Sequence, residues 1–392
     1  MNTLKTFIIF ISIVLIVYSS VNFYIYRRTL QSLSLEGKAR WIARIILFIL
    51  ILAFPLGRLV DATCRCNFSY ICTMIGSIWL SVMLYALLAL VLIDIYRLVN
   101  HFLHISPELL ETHAVQAKRI AFSVISFLIL ILLSVGYHQA IHPRITKIEI
   151  SLADYPADKS PLKIVHLSDI HLGTIVNENR LIRIIERVNH LKPDLVVITG
   201  DLIDENVARI SDLVHPLSKI QNTLGVFAVT GNHEFYAGVD EAVRFMRAAG
   251  ITVLRNSSVT IDSTVNIAGL DDVEINRRLG SVKTLINKSL DETDRSLPTI
   301  LLHHRPVHLD LAEAAGVDLQ LSGHTHHGQL FPLNLITTLV YRVSSGYGKI
   351  GNMHIYVSNG VGTWGPPIRL GAPPEIVQIS LVSSSHEGIT GQ

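Results

Sequence analysis

The sequence has 392 residues, of which 49% are hydrophobic and only 16% are charged. This composition is too apolar for an ordinary soluble protein of this length, and it indicates membrane-spanning segments. The charge is divided unevenly, because residues 1–139 carry 11 Lys and Arg against 5 Asp and Glu, whereas the remainder carries 22 against 26. A mildly acidic second part argues against a nucleic-acid partner, which requires clustered basic residues.

Four apolar stretches in residues 1–140 are each long enough for a helix that crosses a bilayer, which takes about 20 residues. They are Phe7–Tyr26, Trp41–Val60, Tyr70–Ile95 and Ile120–Tyr137. No acidic residue lies at the middle of a stretch, as an ion or proton pathway would usually need, so an anchor is favoured over a transporter. We therefore predict an all-α region of four transmembrane helices over residues 1–140.

The orientation of this region is predicted from the basic residues of its loops, which concentrate on the cytoplasmic side of membrane proteins. Seven basic residues flank the loops after the first and third spans: Arg27, Arg28, Lys38, Arg40, Arg97, Lys118 and Arg119. Only Lys5, Arg58 and Arg65 lie on the other side. The pattern predicts a multi-pass membrane protein whose C-terminal domain is extracytoplasmic.

Residues 145–382 alternate short apolar runs with amphipathic stretches, and a polar tail follows over 383–392. The predicted strands include Leu162–Leu167, Leu195–Thr199, Gly225–Thr230, Thr299–His303 and Asp318–Leu321. Predicted helices lie near Asn179–Leu191, Val207–Ile220, Asp240–Ala249 and Val307–Ala315. Strands that alternate with helices and then form hairpin-like pairs predict an α/β layered β-sandwich flanked by helices, large enough for one domain.

Polar side chains that can bind metal follow these predicted strands at their ends. The blocks are Ser168–His171, Gly200–Asp201, Gly231–Glu234, His304–Pro306 and Gly323–His326. Because the carboxyl ends of strands in an α/β sheet converge on one crevice, we expect these blocks to meet. Carboxylate and imidazole ligands suit Mn, Fe, Zn or Ni, and this part of the chain has no cysteine for a closed structural zinc site.

The spacing within the blocks offers a local explanation for paired ligands. Asp169 and His171 can point to the same side of an extended chain, and the same holds for His324 and His326. A glycine precedes Asp201, Asn232 and His324. Glycine lets the backbone turn sharply and approach a ligand closely.

The five blocks, in this order, resemble the calcineurin-like metallophosphoesterase superfamily, with D-x-H, G-D, G-N-H-[ED], a later His and G-H-x-H. The closing segments 360–369 and 373–376 resemble the membrane-anchored branch of YkuE/YaeI-type phosphodiesterases. The resemblance implies two divalent metal ions. One would be held by Asp169, His171 and His326, the other by Asn232, His304 and His324, with Asp201 bridging. It also implies His233 beside the leaving-group oxygen, oriented by Asp204.

Two positions in this set have alternatives. His304 rather than His303 is the expected ligand, because neighbouring strand residues point to opposite faces and the family's ligand commonly precedes x-Pro. Arg369 is a candidate for binding the substrate phosphate, since guanidinium matches phosphate oxygens bidentately, and a structural role is the alternative.

The resemblance implies a phosphoesterase that hydrolyses phosphomono- or phosphodiesters by in-line attack of a metal-bridging hydroxide. The membrane region suggests a phospholipid or another lipid-linked phosphate as one candidate substrate. The alternative is a membrane sensor or binding protein that keeps the fold without turnover.

Overall fold

The structure, a computed structural model, describes residues 2–63, 66–105, 107, 112–204, 207–272 and 281–384. The chain divides into two units, Met1–Gly136 and Tyr137–Gln392. Most of the predicted polar tail, 385–392, lies outside the described residues.

The described part of the first unit contains four long helices, of which the last continues past the boundary of the unit. They are α1 (Asn2–Leu33), α2 (Gly37–Thr63), α3 (Asn67–Leu103) and α4 (Ala114–Ile141). Each predicted span lies within one of them. Among the described residues, three segments are long and apolar enough to cross a membrane: Gly37–Asp61, Asn67–Leu103 and Ala114–Ile141. Their length and composition indicate membrane association, while the number of passes stays a prediction.

Inside the first unit, the polar groups of Trp79 and Asn22 pair with each other in an apolar interior. Trp79 Nε1 donates a hydrogen bond of 2.9 Å to Asn22 Oδ1. Trp79 also packs with Ile25 and Leu47 in a small apolar cluster. Such pairing is expected, because a buried polar group without a partner costs free energy.

The second unit contains two six-stranded mixed sheets. In chain order the strands are β1 (Arg144–Leu152), β2 (Leu162–Leu167), β3 (Leu195–Thr199), β4 (Val226–Val229), β5 (Thr252–Val253), β6 (Ser257–Ile261), β7 (Val265–Leu270), β8 (Thr299–His303), β9 (Leu319–Ser322), β10 (Gly346–Ile350), β11 (Met353–Val357) and β12 (Glu375–Ser383). One sheet has the order β1-β12-β2-β3-β4-β5, and the other β10-β11-β9-β8-β7-β6. The neighbours β2, β3 and β4 are parallel, as are β8 and β9.

The helices of the second unit are α5 (Glu178–His190), α6 (Val214–Leu217), α7 (Asn232–Ala237), α8 (Val239–Ala248), α9 (Val282–Ser289), α10 (Leu309–Ala314) and α11 (Leu333–Val340). The predicted helix Val207–Ile220 was wrong. Two 3₁₀ turns, Val207–Arg209 and Ser211–Leu213, and the short α6 take its place. Pro216 lacks the N–H that a longer helix would need there. The sequence reading also missed α7, α9, α11, β1 and β10.

The apolar residues of this unit form three layers of core. Ile164 and Val197 of the first sheet pack with Ile300 and Leu321 of the second. The outer face of the first sheet packs against α5 and α8, and that of the second against α9 and α10. Helices therefore cover both outer faces of a two-sheet sandwich, which confirms the predicted fold class.

Candidate metal centre

The loops that carry the predicted ligands are in an unusual backbone conformation. Asp169, His171, Asp201, His324 and His326 all have positive φ, between 47° and 68°. Residues other than glycine rarely adopt this conformation, and it concentrates at functional sites. The prediction that each D-x-H or H-x-H pair lies on an extended chain was therefore wrong. The backbone at these residues is left-handed, and this conformation directs their side chains towards one another.

Glycines next to the ligands act in two different ways. Gly200 has φ of +83°, a conformation that suits glycine. At Gly323 the requirement is space, since an added Cβ would lie 1.8 Å from Ser168 Oγ and 2.2 Å from Asp169 Oδ2. At Gly231 an added Cβ would lie 2.2 Å from Asp201 Oδ1. Side chains and backbone thus pack closely where the loops meet.

One group of ligand atoms is formed by Asp169, His171 and His326, whose candidate atoms lie within 4.8 Å of one another. His326 Nε2 lies 3.3 Å from Asp169 Oδ1 and 3.1 Å from His171 Nε2. The Asp169 carboxylate accepts hydrogen bonds from the backbone N–H of His324, at 3.1 and 3.0 Å. The D-x-H and G-H-T-H blocks are therefore joined directly.

The second group contains Asp201, His304 and His324. His304 Nε2 lies 3.1 Å from His324 Nδ1 and 3.2 Å from Asn232 Oδ1. Asp201 Oδ2 lies 3.2 Å from His304 Nε2 and 3.9 Å from His171 Nε2. Asp201 is thus the residue whose carboxylate reaches both groups.

The donor set fits divalent cations. His304 Nδ1 donates to the carbonyl oxygen of Thr199 at 2.8 Å, so a neutral His304 directs the lone pair of Nε2 at other acceptors. Those acceptors, on Asp201, Asn232 and His324, need a positive charge between them. Burial lowers the pKa of His304, but the Asp201 carboxylate outweighs it and raises that pKa to about 10. In the absence of a metal ion, a proton on His304 Nε2 supplies the positive charge that a bound cation would otherwise supply.

His324 and His326 favour the neutral form that binds metal. Burial and the charge of His304 lower the pKa of His324 to about 2. Burial and the nearby Arg369 hold the pKa of His326 well below its ordinary value. Nitrogen and oxygen ligands without thiolate are typical of open, catalytic metal sites.

His233 and Asp204 form a pair beside the metal ligands. His233 Nδ1 lies 2.9 Å from Asp204 Oδ1, and His171 Nδ1 lies 3.4 Å from the same oxygen. Burial opposes the charged form of His233, but the hydrogen bond to Asp204 and the charges of Asp201, Asp204 and Glu234 together outweigh it and raise the pKa of His233 above its ordinary value. The third grouping of candidate metal ligands, His171, Asp201 and His233, brings the His233 ring within reach of the same centre.

Glu234 holds the loops together and was missed as a functional residue. Its fully buried carboxylate accepts hydrogen bonds from the backbone N–H groups of Gly231 (2.6 Å), Asp201 (3.0 Å) and Ile203 (3.0 Å). The sequence did contain an indication of this role. Glu234 lies three residues after Gly231, which caps α7, and a Glu at that spacing is typical of a capping box. Here the same carboxylate also fixes the turn that presents Asp201.

Arg369 lies beneath the site rather than at its opening. The side chain is fully buried, and its nitrogens contact Nδ1 of His326 at 2.9 Å, the carbonyl oxygen of His326 at 3.1 Å and that of Gly362 at 2.6 and 3.2 Å. This position suits the structural alternative, that of positioning His326. The predicted contact with phosphate stays a prediction.

The two adjacent histidines at the end of β8 are separated by the strand's alternation. His304 faces the ligand atoms, whereas His303 is buried and belongs to none of the three groupings found among the described residues. Next to them, Arg305 Nε donates to Asp272 Oδ2 at 2.7 Å. Of the two, only His304 lies with the other candidate ligands, and its role as a metal ligand stays a prediction.

Comparison with known proteins places the chain in a family. The family model described as calcineurin-like phosphoesterase matches residues 162–328. The metallophosphoesterase Cj0846 of Campylobacter jejuni is 33% identical over 386 residues, which is 96% of this chain and 98% of that protein. The chain belongs to the calcineurin-like phosphoesterase family.

Two further relatives define the extent of the similarity. A metallophosphoesterase of Helicobacter pylori is 38% identical over 227 residues, 57% of this chain and 61% of that protein. The metallophosphoesterase YkuE of Bacillus subtilis is 34% identical over 265 residues, 64% of this chain and 90% of that protein. The match thus spans about three fifths of the Helicobacter protein, and the similarity to YkuE confirms the predicted resemblance to that branch.

Proposed function

We propose that this protein is a metal-dependent phosphoesterase that hydrolyses phosphomono- or phosphodiesters. The observation that carries the proposal is the convergence of acceptor atoms around Asp201, whose Oδ2 lies 3.2 Å from His304 Nε2 and 3.9 Å from His171 Nε2. Carboxylate, amide and imidazole atoms gathered in this way suit divalent cations. Membership of the calcineurin-like phosphoesterase family supports the same activity.

The ligand sets support two divalent cations. One would be held by Asp169, His171 and His326, the other by Asn232, His304 and His324, with Asp201 shared. Two such ions, Mn, Fe, Zn or Ni, would activate water for in-line attack and neutralise charge on the phosphoryl oxygens.

His233 would protonate the leaving group. Its Nδ1 is held by Asp204, so the protonated ring keeps one orientation with Nε2 available. A proton on Nε2 can pass to the leaving-group oxygen as the ester bond breaks, which is general acid catalysis. Asp204 acts as the positioning residue of this pair.

The substrate we favour is a phosphate ester borne by a lipid. The support is the presence, in the same chain, of three helices long and apolar enough to cross a membrane. The excess of basic residues in the loops after the first and third predicted spans favours an extracytoplasmic site. A cysteine placed at exposed Asp240, in a chain whose three native cysteines are serine, should react with a membrane-impermeant maleimide in intact cells; reaction only after lysis would reverse the orientation.

The activity is tested on full-length protein purified in detergent, stripped with a chelator and reloaded with Mn²⁺. Hydrolysis of bis(4-nitrophenyl) phosphate should return with metal, and the His324→Ala variant should lose at least 100-fold while binding less metal. His215→Ala, which removes an exposed histidine outside the site, is the matched control. Wild-type activity that survives complete metal removal would contradict the proposal.

The alternative, a sensor that keeps the fold without turnover, has its own outcome in this experiment. Protein that binds the metal fully but hydrolyses neither bis(4-nitrophenyl) phosphate nor a monoester across the metals named would favour it.

A further inference from the structure

The segment 331–340, which follows the G-H-T-H block and contains α11, exposes an apolar surface. The exposed fractions are 52% for Phe331, 55% for Leu335, 56% for Ile336, 87% for Leu339 and 67% for Val340. These are five of the eleven large apolar side chains described as exposed after Ile141. Such a concentration in ten residues marks an interaction surface, since single exposed apolar residues are normally scattered.

The helix presents these side chains on one face. Leu335 and Leu339 are four residues apart, as are Ile336 and Val340, so all four lie on adjoining rows of α11. In a helix of a soluble domain this face would normally be buried against the core. None of the four is covered within the part of the chain that the structure describes.

Both ends of the segment lie close to residues of the metal centre. The Gln329 side chain donates to the carbonyl oxygen of Trp364 at 2.9 Å and accepts from its N–H at 3.0 Å. The exposed Trp364 ring lies 6.1 Å from that of His233. At the other end the Tyr341 ring lies 6.3 Å from that of His324.

The end of the last apolar helix is held close to the same rim. The buried Arg180 donates to the carbonyl oxygen of Ala140, near the end of α4, at 2.5 Å. Its other terminal nitrogen donates to Thr363 Oγ1 at 3.0 Å. One side chain therefore joins the end of α4 to the residue before Trp364.

We propose that the α11 face, formed by Leu335, Ile336, Leu339 and Val340, docks on the lipid bilayer and that the metal centre takes phosphate esters of amphiphiles from it. The catalytic part rests on the proposed function. Aliphatic side chains suit the acyl region of a bilayer, whereas specific protein interfaces favour aromatic and Arg anchors. The partner of the α11 face is therefore a lipid surface, and the substrate is a phosphate ester with a long alkyl chain.

Activity is compared on two probes with the full-length, Mn²⁺-loaded protein in phosphatidylcholine nanodiscs. One probe is hexadecyl 4-nitrophenyl phosphate in the bilayer, and the other is water-soluble bis(4-nitrophenyl) phosphate. The double variant Ile336→Gln/Leu339→Gln should lose roughly tenfold or more in kcat/KM on the hexadecyl ester and stay within twofold on the soluble one. The matched control Ile182→Gln/Leu311→Gln, which changes two exposed apolar residues elsewhere, should leave both rates unchanged.

Docking is also measured without activity. In a cysteine-free background, a fluorophore on Leu339→Cys should be quenched by nitroxide-labelled lipids in the nanodisc, and one on Ile182→Cys should not. Equal quenching at the two positions, or equal loss on both esters in the double variant, would overturn the proposal. If the wild type hydrolyses neither ester, the proposed function fails, and the quenching result still decides whether α11 docks.

Discussion

The guanidinium of Arg369 lies 2.9 Å from Nδ1 of His326, and both side chains are buried. Burial lowers the pKa of Arg369 to about 9, so the group remains charged at neutral pH. A fixed cation thus orients a candidate metal ligand from the side opposite to the metal centre.

Replacing Arg369 separates the two roles considered for it. Arg369→Lys keeps a charge but loses the planar set of donors to His326 and Gly362, and we expect a loss of about 1–3 kcal/mol in stability. Bound metal, measured by elemental analysis, should fall with it. A variant with full metal content and only a weaker affinity for inorganic phosphate would instead favour the predicted substrate contact.

Glu234→Gln should disrupt the loop that presents Asp201. One of the two carboxylate oxygens becomes an NH₂ group, which cannot accept from the backbone N–H donors now bound there. The expected cost is about 2–3 kcal/mol, seen as a lower thermal midpoint, together with loss of metal. Glu186→Gln on the exposed side of α5 is the control, and equal effects of the two substitutions would contradict the role given to Glu234.

Gly323→Ala should abolish metal binding by crowding. The new Cβ would lie 2.2 Å from Asp169 Oδ2, so the carboxylate must move away from His326. Gly250→Ala is a matched control, because φ there is +80° but nothing lies within 4 Å of the added carbon. It should cost about 1 kcal/mol in stability and leave the metal content unchanged. Normal metal affinity in Gly323→Ala would show that the loop relaxes.

The neighbouring histidines at the end of β8 should differ sharply on substitution. His304→Gln removes the nitrogen that faces Asp201, and we expect metal content and bis(4-nitrophenyl) phosphate hydrolysis to drop at least 100-fold. His303→Gln should change stability more than metal content. A larger loss of metal in His303→Gln than in His304→Gln would identify His303 as the metal ligand.

His166 should make stability depend on pH. Burial lowers its pKa to about 3 in the folded protein, from an ordinary value near 6.5. The unfolded chain therefore binds a proton that the folded chain excludes as the pH falls from about 6.5 towards 3, and stability is lost over that window by up to about 1.4 kcal/mol per pH unit. His166→Gln should flatten this slope in thermal unfolding between pH 7 and 5. His215→Gln should retain it, and an unchanged slope in His166→Gln would exclude the effect.

The sequence by itself determined the family resemblance and the fold class. Continuous apolar runs predicted the buried strands β2, β3 and β8, and the amphipathic stretch near Asn179–Leu191 predicted α5, because these patterns depend on local burial. Each predicted ligand followed a strand end, and the parallel neighbours β2, β3 and β4 bring three such ends to one edge. The x-Pro spacing and strand alternation also favoured His304 over His303.

Only the tertiary structure decided how the ligands are aimed and supported. The left-handed φ of Asp169, His171 and His326 has no local signature, since non-glycine residues adopt it only when surrounding contacts compensate for the strain. Glu234 also contacts Asp201, and Arg369 contacts His326, which are partners distant in sequence. The spacing therefore indicated the helix cap formed by Glu234 but neither of these two contacts. The exposure of α11 was equally hidden, because an apolar helix in a sequence is ordinarily interpreted as core, and only the packed fold shows which face remains uncovered.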